Sequence, residues 1–306
     1  MVTKLIKRDL LAELKKHLSH KEITLVVGPR QVGKTTLLRI LEDDLKAQGA
    51  KTLFLNLDIE ADRQFFTSQE ALIQHIRLSL GSETGYVFID EAQRKENAGR
   101  FFKGMYDMNL PYKFILSGSG SLELKEKIHE SMAGRKRMFE LLPVSFEEFA
   151  AFRTDYRYGD QLSVALQENQ LQTTSLFEEY MQFGGYPQVI LAADAEEKYK
   201  VLNEIYQSYL MRDISFFLGV EKTDAFTNLT QLLAEKVGNL VAVSELASTL
   251  GISVSTIKHY LWYLEKTYII HRVPPYFTNA RKEITKMPVF YFYDLGMRNF
   301  ARRAGI

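Results

Sequence analysis

The eight residues Gly28-Pro29-Arg30-Gln31-Val32-Gly33-Lys34-Thr35 constrain this chain more than any other segment. They satisfy G-x-x-x-x-G-K-[ST] at each fixed position. They also lie between an apolar run, Ile23 to Val27, and a segment of helical periodicity, Thr35 to Leu45. A strand feeding such a loop straight into a helix is the context in which the pattern builds a phosphate cradle. The residue types follow from the anion. Backbone N–H groups must wrap it, so Gly28 and Gly33 supply permissive dihedrals and close approach. The helix opening near Lys34 directs the positive end of its dipole at the phosphates. The Lys34 ammonium reaches the β- and γ-phosphates, and the Thr35 hydroxyl serves as a Mg²⁺ ligand. The expected nucleotide-binding residues are Gly28, Pro29, Arg30, Gln31, Val32, Gly33, Lys34, Thr35 and Thr36, with ATP and Mg²⁺ as the expected ligands.

The surrounding pattern agrees with that loop. Apolar runs recur at 23–27, 52–57, 86–89, 113–116 and 138–142, with helical segments such as Gln69 to Leu80 between them. Continuous apolar strands alternating with helices predict a parallel sheet covered on both faces, joined by right-handed crossovers. The first 145 residues therefore read as an α/β P-loop NTPase core.

Three further groups belong to strand ends, where a parallel sheet borders its ligand crevice. Tyr86-Val87-Phe88-Ile89 runs into Asp90-Glu91. Asp90 is placed to hold Mg²⁺, directly or through water, and Glu91 to polarise an attacking water. Phe114-Ile115-Leu116 runs into Ser117-Gly118-Ser119-Gly120-Ser121. A polar side chain there can sit between water and γ-phosphate, with Ser119 the first choice and Ser117 the second. Arg135 and Arg137 precede the fifth strand. A guanidinium such as that of Arg135 can stabilise the spread charge of phosphoryl transfer, in trans across a subunit interface. Asn56, Asp58 and Gln93 are supporting candidates.

Past Pro143 the pattern changes. Residues 146–222 show helical periodicity, broken by the turn cluster Gly184-Gly185-Tyr186-Pro187, and read as a helical lid. Residues 223–306 read as a winged helix-turn-helix. Two short helices flank Gly251, with Ser244 and Ser253 as expected N-caps, and two strands near 269–273 and 289–293 enclose a wing. Leu261, Trp262, Tyr263 and Leu264 are expected in its core, and His259 and His271 on its surface.

By this point the residues resemble a large prokaryotic group of AAA-superfamily ATPases, in which an AAA domain precedes a C-terminal domain of unknown function. The resemblance rests on Gly28 to Leu38, Asp90-Glu91-Ala92-Gln93, Ser117-Gly118-Ser119, Gly134-Arg135 and Leu142 to Phe149. It continues at Gly184 to Pro187, Leu210-Met211-Arg212-Asp213-Ile214 and Asp294-Leu295-Gly296-Met297-Arg298-Asn299. It implies strand order 5-1-4-3-2, a helical lid, a winged helix, and Arg135 at the group's Gly-Arg position. Ser119-Gly120-Ser121 stands where the group carries a run of serines. Members usually continue past Asn299 into a domain resembling restriction-type nucleases. This sequence stops at Ile306, so the resemblance carries over no nuclease activity.

Composition narrows the chemistry further. With no cysteine, a thiolate nucleophile, a thiolate metal site and a disulfide are excluded. No targeting or membrane-spanning run is visible, so the cytoplasm is the expected location. The net charge of +1 is a cancellation: residues 221–306 carry 11 Lys and Arg against 7 Asp and Glu. That basic excess favours DNA as a partner of the winged helix. Arg281, Lys282 and Lys286 of the wing are candidates for phosphate contacts, although Ser255 to Lys266 holds no Arg for bidentate guanine recognition. The leading expectation is a Mg²⁺-dependent ATPase, oligomeric if Arg135 acts in trans. A nucleotide switch with slow turnover is the alternative. A small-molecule kinase lacks any evident acceptor pocket.

Overall fold

The structure, a computed structural model, describes residues 5–119, 132–208, 223–276 and 287–303. The chain divides into two compact units. The first spans Lys7–Leu142; the second comprises Pro143–Ile306 with the N-terminal Met1–Ile6.

In the first unit the described elements are α1 (Leu10–His17), β1 (Ile23–Gly28), α2 (Lys34–Ala47), β2 (Thr52–Asn56) and α3 (Glu60–Arg63). Then come α4 (Gln69–Leu80), β3 (Gly85–Asp90), α5 (Ala98–Asp107), β4 (Tyr112–Ser119) and β5 (Lys136–Glu140). The five strands form one sheet in the order β2-β3-β4-β1-β5, and each neighbouring pair is parallel. This is the order expected above. β1 is buried at each of its six residues, which is why it reads as an unbroken apolar run. Leu25, Val27, Val87, Ile89, Phe114 and Leu116 share one core with Leu72, Ile73 and Ile76 of α4 and Phe102 and Met105 of α5. α2 buries Leu37, Leu38, Leu41 and Leu45 at helical spacing. Each such fully buried side chain contributes roughly 1.5–3 kcal/mol. The geometric result is that Gly28, Asn56, Asp90 and Ser119 all end their strands on one edge of the sheet.

The second unit holds α6 (Phe146–Arg153), α7 (Leu162–Glu168), α8 (Gln170–Phe183), α9 (Pro187–Leu191), α10 (Ala195–Ser208) and α11 (Thr223–Glu235). α12 (Val243–Leu250), α13 (Val254–Lys266), β6 (Ile270–Val273), β7 (Val289–Phe292) and α14 (Leu295–Arg303) follow. The start of α6 explains one of the segments that carry the resemblance. Ser145 and Glu148 form a reciprocal capping box, and Phe149 is buried behind it. α12 ends at Gly251 in the left-handed conformation. Ser253 caps α13 by accepting the N–H of Thr256 at 3.0 Å. Ser244 does not cap α12: the helix begins one residue earlier, after Ala242, so the Ser244 side chain lies within the first turn. β6 and β7 pair antiparallel, and Leu240 bridges to Val289. Tyr263, Leu261 and Leu264 are buried as expected, whereas Trp262 is only half-buried and stacks on His259. Arg281, Lys282, Lys286 and the segment Leu210 to Ile214 lie outside the described residues.

Two distant glycine-rich segments meet in this unit. Asp294 accepts the N–H of Gly185 at 2.6 Å and that of Met297 at 2.8 Å. Next along α14, Arg298 donates to the carbonyl of Ala234, and Asn299 to those of Met181 and Gln182. The last described helix is thereby tied to the ends of α8 and α11.

Candidate functional site: a phosphate loop with an acidic strand end

Gly28 leaves β1 so close to β5 that a Cβ there would stand 2.0 Å from the carbonyl oxygen of Leu141. No other residue fits that approach. Gly33 takes φ +91° at the N-cap of α2, which aims the first N–H groups of the helix into the loop. Arg8, which the sequence analysis did not single out, braces the loop from outside. Its guanidinium donates to the carbonyls of Val32 at 3.1 Å and Leu142 at 2.6 Å. Nothing in its sequence context signals this, because its partners are backbone atoms up to 134 residues away.

Lys34 lies in the first turn of α2 and is buried. Its ammonium donates to the carbonyls of Gly28 and Pro29 at 3.1 and 2.6 Å. Burial pushes it down to about 8, and the negative charges of Glu91 and Asp90 oppose that shift. Thr35 donates to Asp90 Oδ2 at 2.7 Å. Ser117, at the buried end of β4, donates to Asp90 Oδ1 and accepts the N–H of Glu91 at 3.3 Å. Asp90 is 1% exposed, and these two hydroxyls satisfy both of its oxygens. Glu91 follows in the left-handed conformation, φ +55°. Burial raises its carboxyl above the usual carboxylate range, with Lys34 pulling it back. Gln93 donates to Glu91 Oε2.

The structure thus brings Gly28, Pro29, Lys34, Thr35, Asp90, Glu91 and Ser117 together. Val32 is buried, while Gln31, Thr36 and Thr35 are exposed along the loop and first helical turn. Arg30 is half-buried and close enough to lower the Lys34 ammonium electrostatically. The Ser119 backbone stands opposite Gly28 in the β1–β4 register; its side chain and Ser121 lie outside the described residues. Asn56 and Asp58 form the neighbouring wall: Asn56 Oδ1 accepts the Asp58 N–H, and Asp58 pairs with Arg94 at 2.8 Å.

Arg135 is not brought to this loop within one chain. Its carbonyl accepts the N–H of Ile23, at the opposite end of β1 from Gly28, roughly 16 Å away at 3.3 Å per residue. There it pairs with Asp107 at 2.7 Å.

Among the described residues no group of three or more His, Asp or Glu forms a metal cage. Thr35 and Asp90 instead offer two adjacent hard oxygens. That suits a cation which keeps its waters and shares a phosphate, as Mg²⁺ does.

Residues 20–150 match the AAA domain family, and residues 174–305 match a domain of unknown function, DUF8612. An uncharacterised protein of Haemophilus influenzae is 26% identical over 289 residues, covering 91% of this chain and 69% of its own length. Uncharacterised proteins of Methanocaldococcus jannaschii and Mycobacterium tuberculosis are each 26% identical, over 87% and 95% of this chain. The chain spans 59% and 58% of their lengths. Among solved structures, a RuvB variant of Thermotoga maritima is 16% identical with a TM-score of 0.39, covering 92% of this chain and 95% of that one. Cdc6p of Pyrobaculum aerophilum is 12% identical with a TM-score of 0.40, covering 99% and 95%. The chain carries an AAA-type P-loop domain, a fold that suggests nucleotide binding and hydrolysis. Among the described residues no helix is long and apolar enough to cross a membrane.

Proposed function

We propose that this chain is a Mg²⁺-dependent ATPase whose turnover drives conformational change, and that residues 146–222 and 223–306 are its helical lid and winged helix. The observation that carries the reading is the meeting of Lys34, Thr35, Asp90 and Glu91 on one crevice edge. Lys34 exchanges its loop carbonyls for the β- and γ-phosphate oxygens, where a desolvated ammonium gains most. Thr35 and Asp90 would hold the metal, which would supply charge neutralisation for the phosphates. Glu91 accepts the proton of the water that attacks the γ-phosphorus, releasing ADP and phosphate. Its raised proton affinity suits a base working near neutrality. Ser117 keeps Asp90 and the Glu91 backbone in place. The test is phosphate release by wild type against Lys34→Ala and Glu91→Gln; equal rates in all three would refute the proposal.

Arg135 enters this reading only as a group supplied to the nucleotide of a second copy. Mixing Arg135→Ala with Glu91→Gln subunits, each inactive alone, then restores turnover in mixed oligomers. Failure to recover activity, once mixed oligomers are demonstrated, removes Arg135 from the mechanism.

A switch that reports nucleotide state to DNA has its own observation. Ser255, His259, Trp262 and Lys266 follow one another at helical spacing on α13, away from the buried Ile257, Tyr260 and Leu264. The His259–Trp262 stack has centroids 5.8 Å apart, with Lys258 exposed alongside. An exposed histidine stacked on a half-buried tryptophan and flanked by lysines suits nucleic acid. DNA affinity should fall with rising salt and drop about 10-fold in Lys258→Ala/Lys266→Ala. A flat salt series would leave α13 as a protein-contact or packing helix.

A further inference from the structure

We infer that Gln93 is a positioning residue for hydrolysis: its side-chain amide holds one oxygen of the Glu91 carboxylate and leaves the other to receive the proton of water. This rests on Glu91 being the base. A glutamate side chain rotates about three bonds, and an unheld carboxylate samples many orientations that miss the water. Here its main chain is already fixed. Glu91 sits in the left-handed conformation, an uncommon place for a residue with a Cβ, and its N–H is tied to Ser117 Oγ. Such a strained position points to a functional constraint. The carboxylate itself receives the Gln93 amide at Oε2, the one side-chain hydrogen bond it accepts among the described residues.

Gln93 is rigidly presented. It is the middle residue of a single 3-10 turn, Ala92–Arg94. Ala92 on one side is fully buried in the core of the sheet. Arg94 on the other side closes the turn through its N–H to the Glu91 carbonyl, 2.9 Å, and is pinned by Asp58 at 2.8 Å. Asn56 belongs to strand β2, which pairs with β3 so that it stands beside Asp90. Its Oδ1 accepts the Asp58 N–H at 2.8 Å.

The test compares wild type with Gln93→Met, which keeps length and lacks a donor, and Gln93→Asn, which keeps a donor on a shorter arm. ATP affinity is read by binding and kcat by phosphate release, on proteins whose thermal unfolding matches wild type. Gln93→Met should lower kcat about 10- to 100-fold with ATP Kd within twofold, and Gln93→Asn should recover part of the loss. Single-turnover hydrolysis in the Glu91→Gln background provides the control. There, adding Gln93→Met should change nothing further, because no carboxylate remains to position. An unchanged kcat in Gln93→Met beside a crippled Glu91→Gln overturns the role of Gln93. Full activity of Glu91→Gln overturns the base assignment on which it rests. A parallel loss of ATP affinity and kcat in Gln93→Met, or an equal loss in the Glu91→Gln background, assigns Gln93 to loop structure and also overturns the inference.

Discussion

Glu91→Gln should reduce phosphate release by about 10²- to 10⁴-fold, the usual contribution of a positioned general base, and should leave ATP bound as tightly as before. The amide is nearly isosteric with the carboxylate, so the left-handed turn at residue 91 and its N–H bond to Ser117 persist. What disappears is the capacity to take a proton. Lys34→Ala should behave differently. It removes the buried ammonium that the loop carbonyls of Gly28 and Pro29 surround, so binding itself suffers. A lost charged hydrogen bond is worth about 1.5–3 kcal/mol, or roughly 10- to 150-fold in Kd. Equilibrium binding of ATP alongside phosphate release separates the two. A Glu91→Gln variant that fails to bind nucleotide would show the carboxylate to be structural. A Lys34→Ala variant with wild-type Kd would place the phosphates elsewhere.

The parts of this site that were legible in the sequence are those where chemistry forces residue type at short range. Gly28, Gly33, Lys34 and Thr35 are fixed by the shape of a phosphate cradle, and their strand–loop–helix context is visible in hydrophobic pattern alone. The sheet order came with the resemblance; periodicity supplied the parallel strands. Asp90 and Glu91 were legible because two carboxylates closing an apolar run are conspicuous. Ser117 ranked behind Ser119, because nothing local says which serine at a strand end turns inward; only the register of β4 against β3 buries Ser117 beside Asp90. Arg8 was invisible, since it reads carbonyl groups and not side chains. Trp262 was misplaced by one step of the helical wheel: residues 261, 263 and 264 are buried, and residue 262 points away from them. The capping box Ser145–Glu148 stands in the sequence as S-x-x-E, a pattern short enough to be local, yet only the backbone turn at Ser145 makes it a cap.

Asp294 does its work inside the second unit. It is fully buried and accepts backbone N–H groups from Gly185, Gly296 and Met297. It thereby joins the turn after α8 to the start of α14. Asp294→Ala strands those donors, and each unsatisfied buried N–H costs about 1–3 kcal/mol. The second unit should lose at least ~3 kcal/mol, read as an earlier unfolding transition and faster hydrogen exchange in α8 and α14. The titration gives an independent signature. Burial pushes the carboxyl up to about 6, outweighing the three N–H donors that favour the charged form. Folded Asp294 therefore binds a proton between its ordinary value near 3.8 and about 6, a range in which the unfolded chain has already released it. Over that window the folded state holds more protons, so its stability contribution is present at low pH and is lost as pH rises. Asp294→Asn cannot titrate. Wild type should lose stability relative to Asp294→Asn between about pH 4 and pH 6, by on the order of 2–3 kcal/mol, and the gap should be flat above that. A difference independent of pH would mean that the three N–H groups hold the carboxylate charged throughout, and that Asp294 latches the helices as an anion.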